Sequence, residues 1–179
     1  MNEKKLHKNQ KGYSMVELVV VIAILAVLTG SGITFLGLLP GSAVKGCARE
    51  ITSQLEKTRT NALSFENAAC YLYCKDDGIY MRIDTKRAGV DSSIEQKVGK
   101  SNVTVSYTLS GDSAQTLVPG GDQLVFGFDR SSGAFKPAQI KKASGVESPG
   151  TYCVAITITG GSKTRTLKLV PLTGKIEQQ

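Results

Sequence analysis

The 179-residue sequence has no tryptophan and a single histidine, His7, close to the amino terminus. Without a histidine in the body of the chain, the common Ser–His–Asp and Cys–His arrangements cannot form, and neither G-x-S-x-G nor a P-loop occurs. Aromatic residues make up only 6%, whereas glycine occurs 19 times, which favours a turn-rich β domain over a helical bundle. We therefore expect a protein that is not an enzyme.

Metal ligands are also scarce. The chain has four cysteines, and the spacing Cys70-x-x-x-Cys74 superficially resembles a ligand pair. Zinc needs about four convergent ligands, and no second close pair exists, so we expect no metal and no cofactor. If the domain is exported, one or two disulfides are expected. Cys70 and Cys74 would lie about 13 Å apart on one strand face, too far to bridge. Cys153 is the better partner for either, and buried free thiols, including Cys47, are the alternative.

A long uncharged run dominates the amino-terminal part of the chain. Residues 18–44 contain no charge over 27 positions. As a helix this run would be roughly 40 Å long, enough to cross a bilayer core of about 30 Å. Proline removes a helical hydrogen bond, so we expect a kink or break near Leu39-Pro40.

The run is preceded by a basic leader, residues 1–12, which supplies part of the formal charge of +7. Basic residues beside a membrane helix hold that end in the cytoplasm, so the rest of the chain would lie outside. Glu17 stands between leader and run. It has two interpretations: an interfacial carboxylate that favours a helix amino terminus, or the fifth residue of a chain cut after Gly12, compensated by the ammonium of Tyr13 from its own or a neighbouring subunit.

The stretch Gly12-Tyr13-Ser14-Met15-Val16-Glu17-Leu18, followed by the aliphatic run, resembles the processing site of type IV prepilins and pseudopilins. The resemblance implies that a prepilin peptidase cuts after Gly12 and methylates Tyr13, and that Glu17 helps to dock the subunit into a filament. Tyr13 replaces the usual phenylalanine but keeps the ring. A secretory signal peptide cut near Gly30, or a plain membrane anchor, would require neither Gly12 nor Glu17.

Beyond the predicted break, apolar residues recur at spacings of three and four with charged residues between them, which predicts an amphipathic helix. The members of this stripe are Ala48, Ile51, Leu55, Thr58, Ala62 and Phe65. The predicted organisation is a leader at 1–12, a transmembrane and assembly helix at 13–44, an amphipathic helix at 45–67 and a β domain at 68–179.

Short strands separated by turn signals fill the β domain. Two hairpins are expected, one at 69–75 and 79–84 around Asp76-Asp77-Gly78 and one at 152–159 and 164–170. Further strands are expected at 102–108, 123–129 and 175–177. Residues 88–100, 110–122 and 138–150 are predicted to be loops, where specificity commonly resides.

Residues 48–84 and 152–177 resemble the H-type pseudopilins and their FimT-like minor pilin relatives. The resemblance rests on the helix-to-strand junction, residues 55–62 and 70–74, and on the closing stretch Thr173-Gly174-Lys175-Ile176. It implies a β domain of two packed sheets with the helix against one of them. The expected fold class is therefore α+β and pilin-like, with a long amino-terminal helix packed on a carboxy-terminal antiparallel β domain.

Charged clusters in the β domain have competing interpretations. Asp76, Asp77 and Asp84 could form a carboxylate cluster, but an Asp-Gly turn between two strands is the better explanation. Several basic residues could form a phosphate-binding surface, although a solvated face is the default and DNA is the weaker candidate partner. These basic residues are Lys86, Arg87, Lys97, Lys100, Lys136, Lys141 and Lys142.

The sequence as a whole predicts a minor pilin or pseudopilin, a structural subunit of a type IV pilus, type II secretion or DNA-uptake filament. Its partners would be prepilin peptidase, sister subunits and the membrane. It would be anchored in the inner or cytoplasmic membrane, with a cytoplasmic amino terminus, before joining a periplasmic or cell-surface filament. The alternative is a single-pass anchored extracytoplasmic domain, a sensor or enzyme, that forms no filament.

Overall fold

The computed structural model describes residues 14–36, 39–65, 67–142, 145–147 and 151–179. Side chains are described for all of these except 26–36, 39–40 and 145–147. The chain divides into two compact units, Met1–Leu38 and Leu39–Gln179.

In the first unit, helix α1 runs from Met15 to Leu36 and has one acidic residue, Glu17, in its first turn. The predicted leader lies outside the described residues. Counting only the described residues, neither helix provides a stretch long and apolar enough to cross a bilayer. The predicted membrane segment, residues 13–44, falls partly on side chains outside the described set and stays a prediction.

Helix α2, Leu39–Ser64, opens the second unit. Pro40 falls in its first turn, where a missing N–H breaks no helical hydrogen bond. The predicted stripe is buried from Ala48 to Ala62, and the Thr58 hydroxyl donates to the carbonyl of Gln54 at 2.7 Å. The stripe predicted at 45–67 thus lies on a helix that begins at Leu39 and ends at Ser64, with Phe65 just beyond its end.

The carboxy-terminal part is an antiparallel β domain of two sheets. The six-stranded sheet has the order β3-β2-β1-β6-β7-β8 and the five-stranded sheet the order β11-β10-β9-β4-β5. The strands of the first sheet are β1 Asn67–Lys75, β2 Gly78–Arg87, β3 Val90–Lys100, β6 Gln123–Gly127, β7 Gln139–Lys142 and β8 Gly145–Glu147. Those of the second are β4 Thr104–Leu109, β5 Gln115–Thr116, β9 Cys153–Gly160, β10 Lys163–Val170 and β11 Lys175–Gln178.

One core joins α2 to both sheets. Leu55 of α2 belongs to the same buried cluster as Leu72 and Phe126 of the six-stranded sheet and Ile156 and Leu167 of the five-stranded sheet. Helix α2 contacts strands of both sheets. The expectation that it packs against one sheet alone was wrong, because both sheets turn their apolar faces towards its stripe.

The predicted hairpins are confirmed: β1 pairs with β2 across Asp76-Asp77, and β9 with β10 across Gly161-Ser162. Two of the three predicted loops were wrong, since residues 88–100 contain β3 and residues 138–150 contain β7 and β8, whereas residues 110–122 contain only the two-residue strand β5. Strand β3 has exposed side chains on both faces up to Lys97, so it lacks the alternation that marks a half-buried strand. It forms by pairing with β2 through a tight turn in which Ala88 and Gly89 both have positive φ, 50° and 78°.

Candidate processing and assembly site

The amino terminus of α1 is capped by two reciprocal hydrogen bonds. The hydroxyl oxygen of Ser14 accepts from the N–H of Val16 at 3.4 Å, and Oε2 of Glu17 accepts from the N–H of Ser14 at 3.2 Å. The first helical bond runs from the N–H of Leu18 to the carbonyl of Ser14. Ser14 is thus the N-cap, and Glu17 returns a bond as in a capping box, although the Ser14 hydroxyl accepts from the second helical N–H and not the third; both bonds satisfy backbone donors that a helix end otherwise leaves open.

Ser14 is a residue that the sequence interpretation missed. The spacing Ser14-x-x-Glu17 immediately before an apolar run is the signature that identifies such a cap. Glu17 is thus bonded to its own chain, with its carboxylate turned back towards the start of the helix. Gly12 and Tyr13 lie outside the described residues, so their cleavage and methylation roles remain predictions.

The first turns of α1 expose a continuous apolar surface. Met15 is 86% exposed, and among the large apolar side chains of residues 15–25 even the least exposed, Val20, is 50% exposed. Burying a side chain of this size is worth about 1.5 to 3 kcal/mol. A surface of this kind therefore marks a segment that gains stability in lipid or against another protein.

The basic residues proposed for phosphate binding do not form one stripe. Lys141 and Lys142 line a cleft beside the β1–β2 turn, whereas Lys86, Arg87 and Lys136 each line a different cleft. Lys97 and Lys100 line a further one, next to the start of α2. A phosphate backbone would need these charges in register along one surface.

Several of these cations already contact neighbouring side chains. Lys97 is 2.8 Å from a carboxylate oxygen of Asp77, and the charged groups of Arg87 and Lys141 each lie 5.7 Å from an aromatic ring centre. The Arg82 guanidinium is 4.3 Å from the centre of the Tyr71 ring. Such contacts are typical of a solvated, internally compensated face.

The three carboxylates do not converge. Asp77 accepts from Tyr80 at 2.6 Å as well as from Lys97, while Asp84 accepts from Ser93 at 2.6 Å and lines a different cleft. Hydrogen bonds from Lys97 and Tyr80 lower the pKa of Asp77. Among the described residues, no group of three or more potential ligands could hold a metal ion.

All four cysteines are free, so the expected disulfides are absent and the alternative of free thiols holds. Cys70 lies in the six-stranded sheet and Cys153 in the five-stranded sheet, so the proposed partners belong to different layers. Burial raises the pKa of Cys47, Cys70 and Cys153 to about 12. Their thiols are therefore protonated and unreactive near neutral pH.

Comparison with known families matches residues 7–33 to the prokaryotic N-terminal methylation motif. The match includes Gly12, Tyr13 and Glu17 and extends into α1, but no part of the β domain. No curated protein and no solved structure matches the chain.

Proposed function

We propose that this chain, which carries a type IV prepilin-like leader within residues 7–33, is the precursor of a minor pilin or pseudopilin. Prepilin peptidase cuts it after Gly12 and methylates Tyr13, and the mature chain joins a filament as a structural subunit. The observation that carries this proposal is the methylation motif, in register with Glu17 at the capped start of α1.

Assembly is driven by the exposed apolar surface of α1. Before assembly this surface lies in the membrane, and in the filament it packs against the same helix of sister subunits. Apolar packing alone leaves the axial position of neighbouring helices weakly defined, because lipid tails are as apolar as the side chains. A charged group at a fixed position defines it.

Glu17 provides that charge. Its Oε2 is occupied by the Ser14 N–H, which orients the carboxylate, and its Oε1 has no partner among the described residues. In the filament Oε1 accepts from the ammonium of a neighbouring Tyr13. Removing one member of such a pair in a low-dielectric bundle leaves the other charge uncompensated, at a cost of about 3 to 5 kcal/mol.

The assembly test separates the charge of Glu17 from its role in the cap. Glu17→Gln keeps an oxygen that can accept from the Ser14 N–H but removes the charge, whereas Glu17→Ala removes both. We expect both variants to reach the membrane at parental levels and to be cleaved normally, since neither makes the segment less apolar. Both should fail to co-purify with the filament and to restore function in a deletion strain.

The results of this test distinguish a charge pair at Glu17, a role of Glu17 in the helix cap, and an anchored domain that forms no filament. If Glu17→Gln assembles and Glu17→Ala does not, Glu17 acts through the cap and the charge pair is wrong. If both assemble as well as the parent, Glu17 has no docking role. A chain that never co-purifies with a filament, even as the parent, would be the anchored extracytoplasmic domain instead.

A further inference from the structure

Strand β3 forms one free edge of the six-stranded sheet. Arg87 and Val90 flank the two-residue turn and pair directly, so alternate residues of β3 from Val90 to Gln96 bond to β2; the register is regular as far as Lys97. The residues between them, Asp91, Ser93, Glu95 and Lys97, therefore direct their N–H and C=O groups to the open edge. A free edge of this length can bind a further strand.

An apolar groove runs along the inner side of this edge, between β3 and the end of α2. Its volume is about 530 Å³, and its apolar lining includes Phe65, Ile83, Val90 and Ile94. Val90 is 69% exposed and Ile94 55% exposed. Both side chains stand on the same face as buried Met81 and Ile83, so a strand added at the edge would extend this apolar face.

We infer that β3 pairs antiparallel with β3 of a second copy of this chain, about a two-fold axis at Ile94. Charge determines this register. The open-edge residues must face one another, so the two-fold axis falls at one of these four residues or midway between two of them, at Ser92, Ile94 or Gln96. Axes at Asp91 or Glu95 place identical carboxylates opposite each other, and an axis at Ser93 places Asp91 opposite Glu95. Like charges directly opposite destabilise a strand pair.

An axis at Ile94 places no like charges opposite each other and gives the longest paired segment. It places Asp91 opposite Lys97 and Ser93 opposite Glu95. An axis at Ser92 pairs only a short segment next to the turn, and an axis at Gln96 or Lys97 pairs only a short segment before the irregularity of β3 that follows Lys97. Lys97 already contacts Asp77 at 2.8 Å and is still 41% exposed, so it can bind a second carboxylate. The pairing spans residues 91–97, the regular part of the strand.

The same register also covers the exposed apolar side chains. Ile94 of one copy lies opposite Ile94 of the other on the inner face, and Val90 lies on the same face near each end of the paired segment. The contact is isologous and closes after two copies, so it does not propagate a filament. The contact forms between subunits that are in the membrane and not in a filament. The inference rests on neither leader cleavage nor the role of Glu17.

A single cysteine placed on the two-fold axis tests the register. The full chain is expressed in membranes in a Cys74→Ser background, because Cys74 is the only one of the four thiols that is not buried. Opposed residues whose backbones do not bond to each other have Cα atoms about 4.5 Å apart, within disulfide range. On oxidation Ile94→Cys should form a covalent dimer on non-reducing gels, whereas Ser92→Cys and Gln96→Cys alone should give at least tenfold less. Co-expressing those two with different tags should yield the mixed dimer.

Charge reversal supplies the matched control. Asp91→Lys in the Ile94→Cys chain places lysines opposite each other and should reduce the dimer at least threefold, and adding Lys97→Glu should restore it. A dimer that forms through Ser93→Cys but not Ile94→Cys overturns the inferred register. Absence of any dimer from Ile94→Cys, with parental protease resistance showing an intact fold, overturns the pairing itself. Either result leaves the assembly test of Glu17 untouched.

Discussion

At the scale of single residues, a close approach between α2 and the end of β3 depends on a glycine. A Cβ at position 99 would lie 2.8 Å from Sγ of Cys47 and 3.2 Å from Cβ of Ile79. Cys47 is itself buried on α2, so the sulfur has little room to move. Gly99 thus lets the end of β3 lie directly against the helix.

We expect Gly99→Ala to destabilise the chain by about 1 to 3 kcal/mol, because overpacking a dense core forces side chains out of their preferred positions. Removing the sulfur with Cys47→Ala should reduce that cost, so the two changes should couple in a double-mutant cycle. Urea unfolding of the detergent-solubilised chain, followed by circular dichroism, measures both. An equal cost of Gly99→Ala in the two backgrounds would show that Cys47 is not what the new methyl group meets.

At the scale of elements, turns set the geometry of the β domain, and the turn after β6 is fixed by one carboxylate. Oδ1 of Asp129 accepts from the N–H and hydroxyl groups of both Ser131 and Ser132, at 2.6 to 3.1 Å. These bonds hold the pKa of Asp129 well below its ordinary value. Beyond the turn, Phe135 packs against Phe128, with ring centres 4.6 Å apart.

The depressed pKa predicts a pH-dependent contribution to stability. The ionised form is favoured in the folded chain, so the stabilisation is complete above the unfolded pKa of about 3.9 and is lost as pH falls towards the folded value. Asp129→Asn should lower the urea midpoint of unfolding at pH 7. The difference in midpoint between the variant and the parent should become steadily smaller below about pH 5. The control Asp112→Asn changes an exposed carboxylate that makes no such bonds among the described residues. An equal difference in urea midpoint between Asp129→Asn and the parent at pH 3 and pH 7 would show that ionised Asp129 is not what stabilises the turn.

At the scale of the whole molecule, the match to the methylation motif is confined to the amino-terminal part of the chain. The methylation motif, residues 7–33, covers the second half of the predicted leader and enters α1, so the proposed processing and assembly would involve one contiguous segment. The β domain has its own core, shared by α2 and both sheets.

Intact-mass analysis of membrane-extracted protein should therefore show a chain that begins at Tyr13 and carries one additional methyl group. Gly12→Val is the matched control, since a branched side chain at the cut should block the close backbone approach that glycine permits. That variant should remain full length in the membrane. A parent chain that starts after Gly30, or one that is never cut, would contradict processing at Gly12.

Local signals in the sequence were enough for several features. The leader motif depends on Gly12, Tyr13 and Glu17 in fixed register, and α2 shows a stripe at helical spacing because one of its faces meets the core. The first hairpin is predicted by Asp76-Asp77-Gly78, since turn chemistry is read from adjacent residues. The cap of α1 is also encoded by neighbouring residues, through the spacing of Ser14 and Glu17.

Only the tertiary structure decided the remaining features, because they depend on residues far apart in the chain. Strand β3 exists through its backbone pairing with β2, and its exposed side chains carry no periodic signal. The burial of α2 against both sheets and the separation of Cys70 from Cys153 follow from strand order, which no local pattern encodes. The basic residues divide among separate clefts for the same reason. Charge can be counted along a sequence, but its surface arrangement is set by which strands lie side by side.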